Sequence, residues 1–137
     1  HSVDSLNLLQ EINKRAEKNN RTIDCLLQIF IASEETKYGL TMEEAEQLIT
    51  SDEVQQLKNV RITGLMGMAT NTTNKEEIRN EFRSLKTFFD KLNNLQTTNT
   101  KLQTLSMGMS SDYKIAIEEG STMIRIGSSI FGERNYA

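Results

Sequence analysis

The sequence predicts an α/β fold, and within that class part of a (β/α)₈ barrel. Three observations lead there. Apolar runs that read as strands alternate strictly with amphipathic stretches that read as helices, in the order β-α-β-α-β-α-β-α-β, and such alternation builds a parallel sheet. The 137 residues hold four and a half such units, whereas closing an eight-stranded barrel typically takes about 250 residues. No Gly-x-Gly-x-x-Gly turn follows any strand, which counts against an open doubly wound sheet. Half a barrel is the better fit.

The elements follow in chain order. His1-Ser-Val-Asp-Ser5 looks like the end of a strand whose predecessors are missing, and no initiator methionine precedes it. Residues 1–137 are therefore expected to be the C-terminal portion of one barrel domain, about strands 4 to 8. Asp4 or Ser5 can cap a helix whose apolar face is Leu6, Leu8, Leu9, Ile12 and Ala16. The polar run Lys18 to Arg21 ends it. Ile23 to Ile31 is almost continuously apolar, as in a strand buried on both faces. A polar loop from Ala32 to Gly39 leads to Thr41-Met-Glu-Glu44, a capping box that starts a helix through Ala45, Leu48 and Ile49.

Ser51 to Leu57 reads as a short further helical piece, and Val60 to Met66 as a strand, with Gly67 and Ala69 allowing close backbone approach near its end. Asn71 to Asn74 signal another start, and Thr73 to Glu76 has capping-box spacing. The long helix that follows carries Ile78, Phe82, Leu85, Phe88, Phe89 and Leu92 on one stripe, a core-facing pattern. A polar connection, Asn93 to Thr100, precedes the strand Thr104 to Met107. A helix from Asp112 to Glu119 ends at Gly120, a suitable C′ residue. The last strand finishes at Arg125-Ile126, and a short helix can begin near Ser128.

Composition narrows the function. Charged residues make up 26% of the chain, net charge is −3 and the basic residues are scattered, so neither nucleic acid nor an anionic membrane is an expected partner. No apolar run approaches the roughly 18 residues of a membrane span, and no signal peptide is visible. The lone cysteine, Cys25, lies in an apolar run and reads as a small buried hydrophobe. A single thiol is compatible with a reducing compartment, so the cytoplasm is the expected location.

The residues that point to chemistry lie near the end. In Leu105-Ser-Met-Gly-Met-Ser-Ser-Asp112 and Gly120-Ser-Thr-Met-Ile-Arg-Ile-Gly-Ser-Ser-Ile-Phe-Gly132, glycine and serine follow the strand runs and helical or turn-like segments begin after them. Such βα corners aim free backbone N–H groups at one place, and an anion is their natural occupant. Arg125, inside Met123-Ile-Arg-Ile126, carries a charge that needs a partner in the interior. These residues read as the grip on a phosphate-bearing cofactor. Two plainer alternatives stand beside this. The serines can be helix caps, and Arg125 can pair with Asp112 or Glu118.

The same stretches, with Ala116-Ile117, Ser2-Val-Asp-Ser5, Leu27-Gln-Ile29, Lys37-Tyr-Gly39 and Gly64-Leu-Met66 in the matching order, resemble the pyridoxal phosphate homeostasis proteins. The resemblance covers essentially the whole chain. It implies one (β/α)₈ barrel like that of the N-terminal domain of alanine racemase, with pyridoxal 5′-phosphate (PLP) bound as a Schiff base. It also implies that Ser110 with the Met109 backbone, and Gly127 with Ser128, bind the phosphate, while Arg125 faces the pyridine nitrogen. No metal is implied, and no residue is assigned a catalytic role. The family's Schiff-base lysine belongs to a block this chain lacks. Lys37, in a loop after a strand, is the nearest substitute, and Phe30 stands where relatives often carry a polar residue.

Three functions follow from different classes: a non-catalytic PLP binder, a fold-type III PLP enzyme such as an amino-acid racemase, and a folded fragment that binds nothing. A half-barrel exposes unpaired strand edges near Val3 and Ile124. Self-association, or pairing with the missing N-terminal half, is expected.

Overall fold

The structure, a computed structural model, describes residues 2–33, 39–95, 101–109 and 111–125, with Arg125 described by its backbone. The elements take the predicted order: β1 (Ser2–Val3), α1 (Leu6–Lys18), β2 (Ile23–Gln28), α2 (Met42–Thr50), α3 (Asp52–Gln55), β3 (Val60–Gly67), α4 (Lys75–Asn93), β4 (Thr104–Met109), α5 (Tyr113–Glu118) and β5 (Met123–Arg125). All strand pairs are parallel, and the spatial order of the five strands is their chain order. A doubly wound sheet reverses its strand order at a switch point. This one never reverses.

The helices share one face of the sheet. Leu9 of α1, Ala45 and Ile49 of α2, Phe82 and Leu85 of α4, and Ala116 of α5 join one buried cluster with Val3, Leu27, Leu65 and Leu105. Those four strand residues lie in one lateral row, since Val3 pairs with Leu27, Leu27 with Leu65, and Leu65 with Leu105. Sequential parallel strands with every helix on the same side form a segment of barrel wall. No helix among the described residues is long and apolar enough to cross a membrane.

Local signals explain most boundaries. The Ser5 side chain accepts the Leu8 N–H and starts α1. Thr41 and Glu44 exchange the two hydrogen bonds of a capping box at α2. At α4 the cap is Asn74, whose Oδ1 accepts from the Glu76 and Glu77 N–H groups, and not the Thr73–Glu76 box that the spacing suggested. An asparagine amide oxygen one residue later serves the same orphan donors. Gly120, at φ +107°, ends α5 as expected, with the Ser121 N–H returning to the Ala116 carbonyl.

Three further expectations change. Strand β2 is buried on its helix side only: Cys25 and Leu27 are buried while Leu26 and Gln28 are half-buried, because they lie on the face that no helix covers. Close backbone approach occurs at Gly64, where a Cβ would collide with the Thr104 carbonyl oxygen, whereas at Gly67 it would meet the side chains of Leu85 and Ile31. Strand β4 runs two residues past its predicted end, because Gly108 bends at φ +106° and Met109 still pairs with Arg125. Cys25 is fully buried, and burial pushes its thiol up from the ordinary value. The phenylalanines of α4 are core, as their spacing predicts.

Candidate functional site

The C-terminal end of β4 holds the first corner. Gly108 is buried at positive φ, and a Cβ there would come 2.6 Å from the Ala116 Cβ, so only glycine lets α5 pack this close to the turn. Met109 follows, 44% exposed. Its N–H donates to Asp112 Oδ1 at 2.7 Å, and its carbonyl accepts the Asp112 N–H at 3.1 Å. The turn is thereby closed on itself. Of the residues expected to hold phosphate, Met109 thus has its amide already engaged. Ser110, Gly127 and Ser128 lie outside the described residues, as do the Arg125 side chain and Lys37.

The second corner is brought to the first by sheet register. Ser106 pairs with Met123 and Met109 with Arg125, with an irregularity between them. Arg125 is therefore the direct neighbour of Met109 on the adjacent strand, at the same end of the sheet. Below this point Ser121 and Thr122 stitch the two strands: Ser121 Oγ donates to the Met107 carbonyl at 2.7 Å, and Thr122 Oγ1 accepts the Leu105 N–H at 2.7 Å. Ser121 is a strand pin.

The two carboxylates weighed as partners for Arg125 are both in use elsewhere. Asp112 Oδ1 holds the Met109 amide, and Glu118 receives Arg79 at 2.7 Å. Arg79 also reaches Glu119, which Arg83 grips at 3.0 Å, so α4 and α5 are clamped by paired charges. The hydrogen bond from Arg83 holds the Glu119 carboxyl below its ordinary value, with Arg79 assisting against partial burial. Both guanidiniums are raised in turn by these carboxylates.

Beside the Met109 turn opens a cleft of about 950 Å³. Its near wall is Met109, Ser111 and Asp112, and its far wall is the β3–α4 loop with Thr70, Asn71 and Thr72. Lys75, the first residue of α4, adds a positive charge to the rim. The far wall was not legible as part of the site, because Ala69 to Asn74 reads simply as a polar loop before a helix. Among the described residues no group of three or more His, Cys, Asp or Glu could hold a metal ion.

Comparison with known proteins decides the family. The model of the alanine racemase N-terminal domain matches residues 1–135. The chain belongs to that family. Curated relatives of the chain include the pyridoxal phosphate homeostasis protein of Aquifex aeolicus, 43% identical over 136 residues, covering 99% of this chain and 58% of the relative. That of Haemophilus influenzae is 36% identical, covering 99% of this chain and 56% of the relative. The chain thus spans somewhat over half the length of these relatives. Among solved structures, PipY of Synechococcus elongatus with PLP bound superposes at a TM-score of 0.81 with 33% identity, over 96% of this chain and 59% of PipY. An alanine racemase of Clostridium difficile superposes at 0.75 with 19% identity, over 98% of this chain and 34% of the racemase, a likeness of fold. The sheet and helices are accordingly part of a barrel of the alanine racemase N-terminal type.

Proposed function

We propose that the chain is the phosphate-holding portion of a protein that binds PLP without catalysing a reaction and serves intracellular PLP homeostasis. The observation that carries this is the pairing of Met109 with Arg125, which sets the β4–α5 turn beside the strand leading to Gly127 and Ser128. The curated relatives bear the matching name, and PipY, about one-third identical, holds PLP. The donor set fits a dianion. Ser110 supplies a hydroxyl, Gly127 and Ser128 supply backbone and hydroxyl donors, and Met109, its own amide bound to Asp112, gives the turn its shape.

When bound, PLP supplies a ring able to accept electron density from a reacting carbon. Arg125 limits that ability. A guanidinium only donates hydrogen bonds and stays charged, so facing the pyridine nitrogen it keeps that nitrogen an unprotonated acceptor. A ring held in this way withdraws electrons poorly, which suits a carrier more than a racemase. The Schiff-base lysine is expected from the portion of the relatives' length that this chain does not span. A cytoplasmic location agrees with a lone, buried Cys25.

Calorimetric titration of the 137-residue chain with PLP and with inorganic phosphate tests the proposal. Saturable binding of both is expected, with Arg125→Ala weakening PLP and sparing inorganic phosphate. Absence of binding of either at millimolar concentration would favour a folded fragment without a ligand. The second reading, a fold-type III enzyme such as an amino-acid racemase, draws on the shared fold of the Clostridium difficile racemase. It requires the full-length protein to interconvert alanine enantiomers.

A further inference from the structure

Helix α4 reaches back over the end of the sheet that carries the cleft. Thr70, 8% exposed in the β3–α4 loop, gives its N–H to Glu81 Oε1 at 2.7 Å and its hydroxyl to Glu81 Oε2 at 2.6 Å. One carboxylate thus takes both donors of one residue, eleven positions back along the chain. Thr70 Oγ1 in turn accepts the Ser33 N–H at 2.8 Å, and Ser33 Oγ donates to Glu77 Oε1 at 2.8 Å. Glu77 and Glu81 are four residues apart and so share a helix face. Through Thr70 and Ser33 they hold the roots of two neighbouring loops, those following β3 and β2.

The placement gives the arrangement its consequence. Thr70 and Asn71 line the far wall of the cleft, across from Met109, Ser111 and Asp112. The sheet carries the near wall through register, but the far wall has left β3 at Gly67 and has not yet entered α4. Its backbone position is set by side chains, and bonds to an ionised acceptor are about twice as strong as neutral ones. We infer that Glu81 is a positioning residue for the ligand site: clasping Thr70, it fixes the wall facing the Met109 turn and, through Thr70, holds Ser33 beyond β2, without itself touching ligand. The inference rests on the proposed PLP site for its effect on binding, and on the hydrogen bonds alone for its effect on the loops.

The test uses the 137-residue chain with Glu81→Ala, Glu81→Gln and, as a control for lost stability, Phe88→Leu. Backbone hydrogen exchange reads the loops and titration with PLP reads the site. In Glu81→Ala the Thr70 and Ser33 amides are expected to exchange at least about tenfold faster, with PLP affinity falling about tenfold, the size expected for loss of a charged acceptor. Glu81→Gln, whose amide oxygen still accepts the Thr70 N–H, recovers most of both, and Phe88→Leu loses stability while keeping affinity. Unchanged exchange at Thr70 and Ser33 in Glu81→Ala overturns the clasp. Faster exchange with unaltered PLP affinity, or an equal loss of affinity in Phe88→Leu, overturns its link to the site. A wild-type chain that binds no PLP removes the proposed function instead, and the exchange result alone then decides the clasp.

Discussion

At the scale of single residues, the turn after β4 depends on two side chains, one of them absent. Gly108 has a backbone that L-residues rarely adopt and a neighbour where its Cβ would go. Gly108→Ala is expected to cost about 2–4 kcal/mol, combining backbone strain with an overpacked contact, as read by a lower urea midpoint at unchanged slope. Asp112 closes the turn but brings a negative charge beside the proposed phosphate grip. Asp112→Asn keeps an oxygen for the Met109 N–H and removes the charge, so phosphate should bind about fivefold tighter, the effect of about 1 kcal/mol between solvated charges. Titration of the variant with inorganic phosphate checks this, and weaker binding would put the anion elsewhere. The sequence exposed the glycines and serines of this region but not Asp112's role. A carboxylate that turns back three residues to its own strand looks, in one dimension, like any polar residue at a helix start.

At the scale of elements, α4 was the most legible part of the chain and yet held the largest surprise. Its apolar stripe, Ile78 to Leu92, follows the helical period because that face packs against the sheet. On the opposite face Glu77 and Glu81 point to loop roots, and Arg79 and Arg83 hold Glu118 and Glu119 of the following unit. Side chains on a polar face declare their charge in sequence, but not which loop or helix the fold will bring to them. The boundary errors have the same origin. Asn74 displaced Thr73 as cap within a run of four residues that can all serve. Leu26 and Gln28 are half-buried because burial on the uncovered face depends on the rest of the barrel wall, which local pattern does not contain.

The α4–α5 clamp makes a pH-dependent contribution with a definite sign. The Glu119 side chain is 10% exposed, and its carboxyl in the folded chain lies below the ordinary value of 4.5. A carboxylate depressed on folding stabilises above its unfolded value, and this is lost as pH falls through the folded one. Glu119→Gln should therefore lower the denaturation midpoint at neutral pH. The gap from wild type should close on acidification below the ordinary carboxylate range. A gap that persists at all pH values would assign the effect to packing and not to charge.

At the scale of the whole molecule, the fold class was readable because strict strand–helix alternation leaves few topologies, and the missing dinucleotide turn removed the main competitor. What alternation does not reveal is which edges are paired. Among the described residues β1 and β5 border the sheet, and both are short. Met123, nearly half exposed, belongs to the β5 border. We expect the isolated chain to self-associate through these edges, or to bind the N-terminal half of a full-length relative when the two are mixed. Light scattering checks this, and a monomer that ignores the added half would sink the idea.

The chain-ordered sheet also bears on how the polypeptide is made. Each strand from β2 onward bonds to the strand immediately before it in the sequence. During synthesis every new strand leaving the ribosome finds its docking edge already translated, and none must wait for a distant segment to appear. Vectorial assembly, unit upon unit from the amino end, is therefore open to this topology, where a strand inserted between two earlier ones would forbid it.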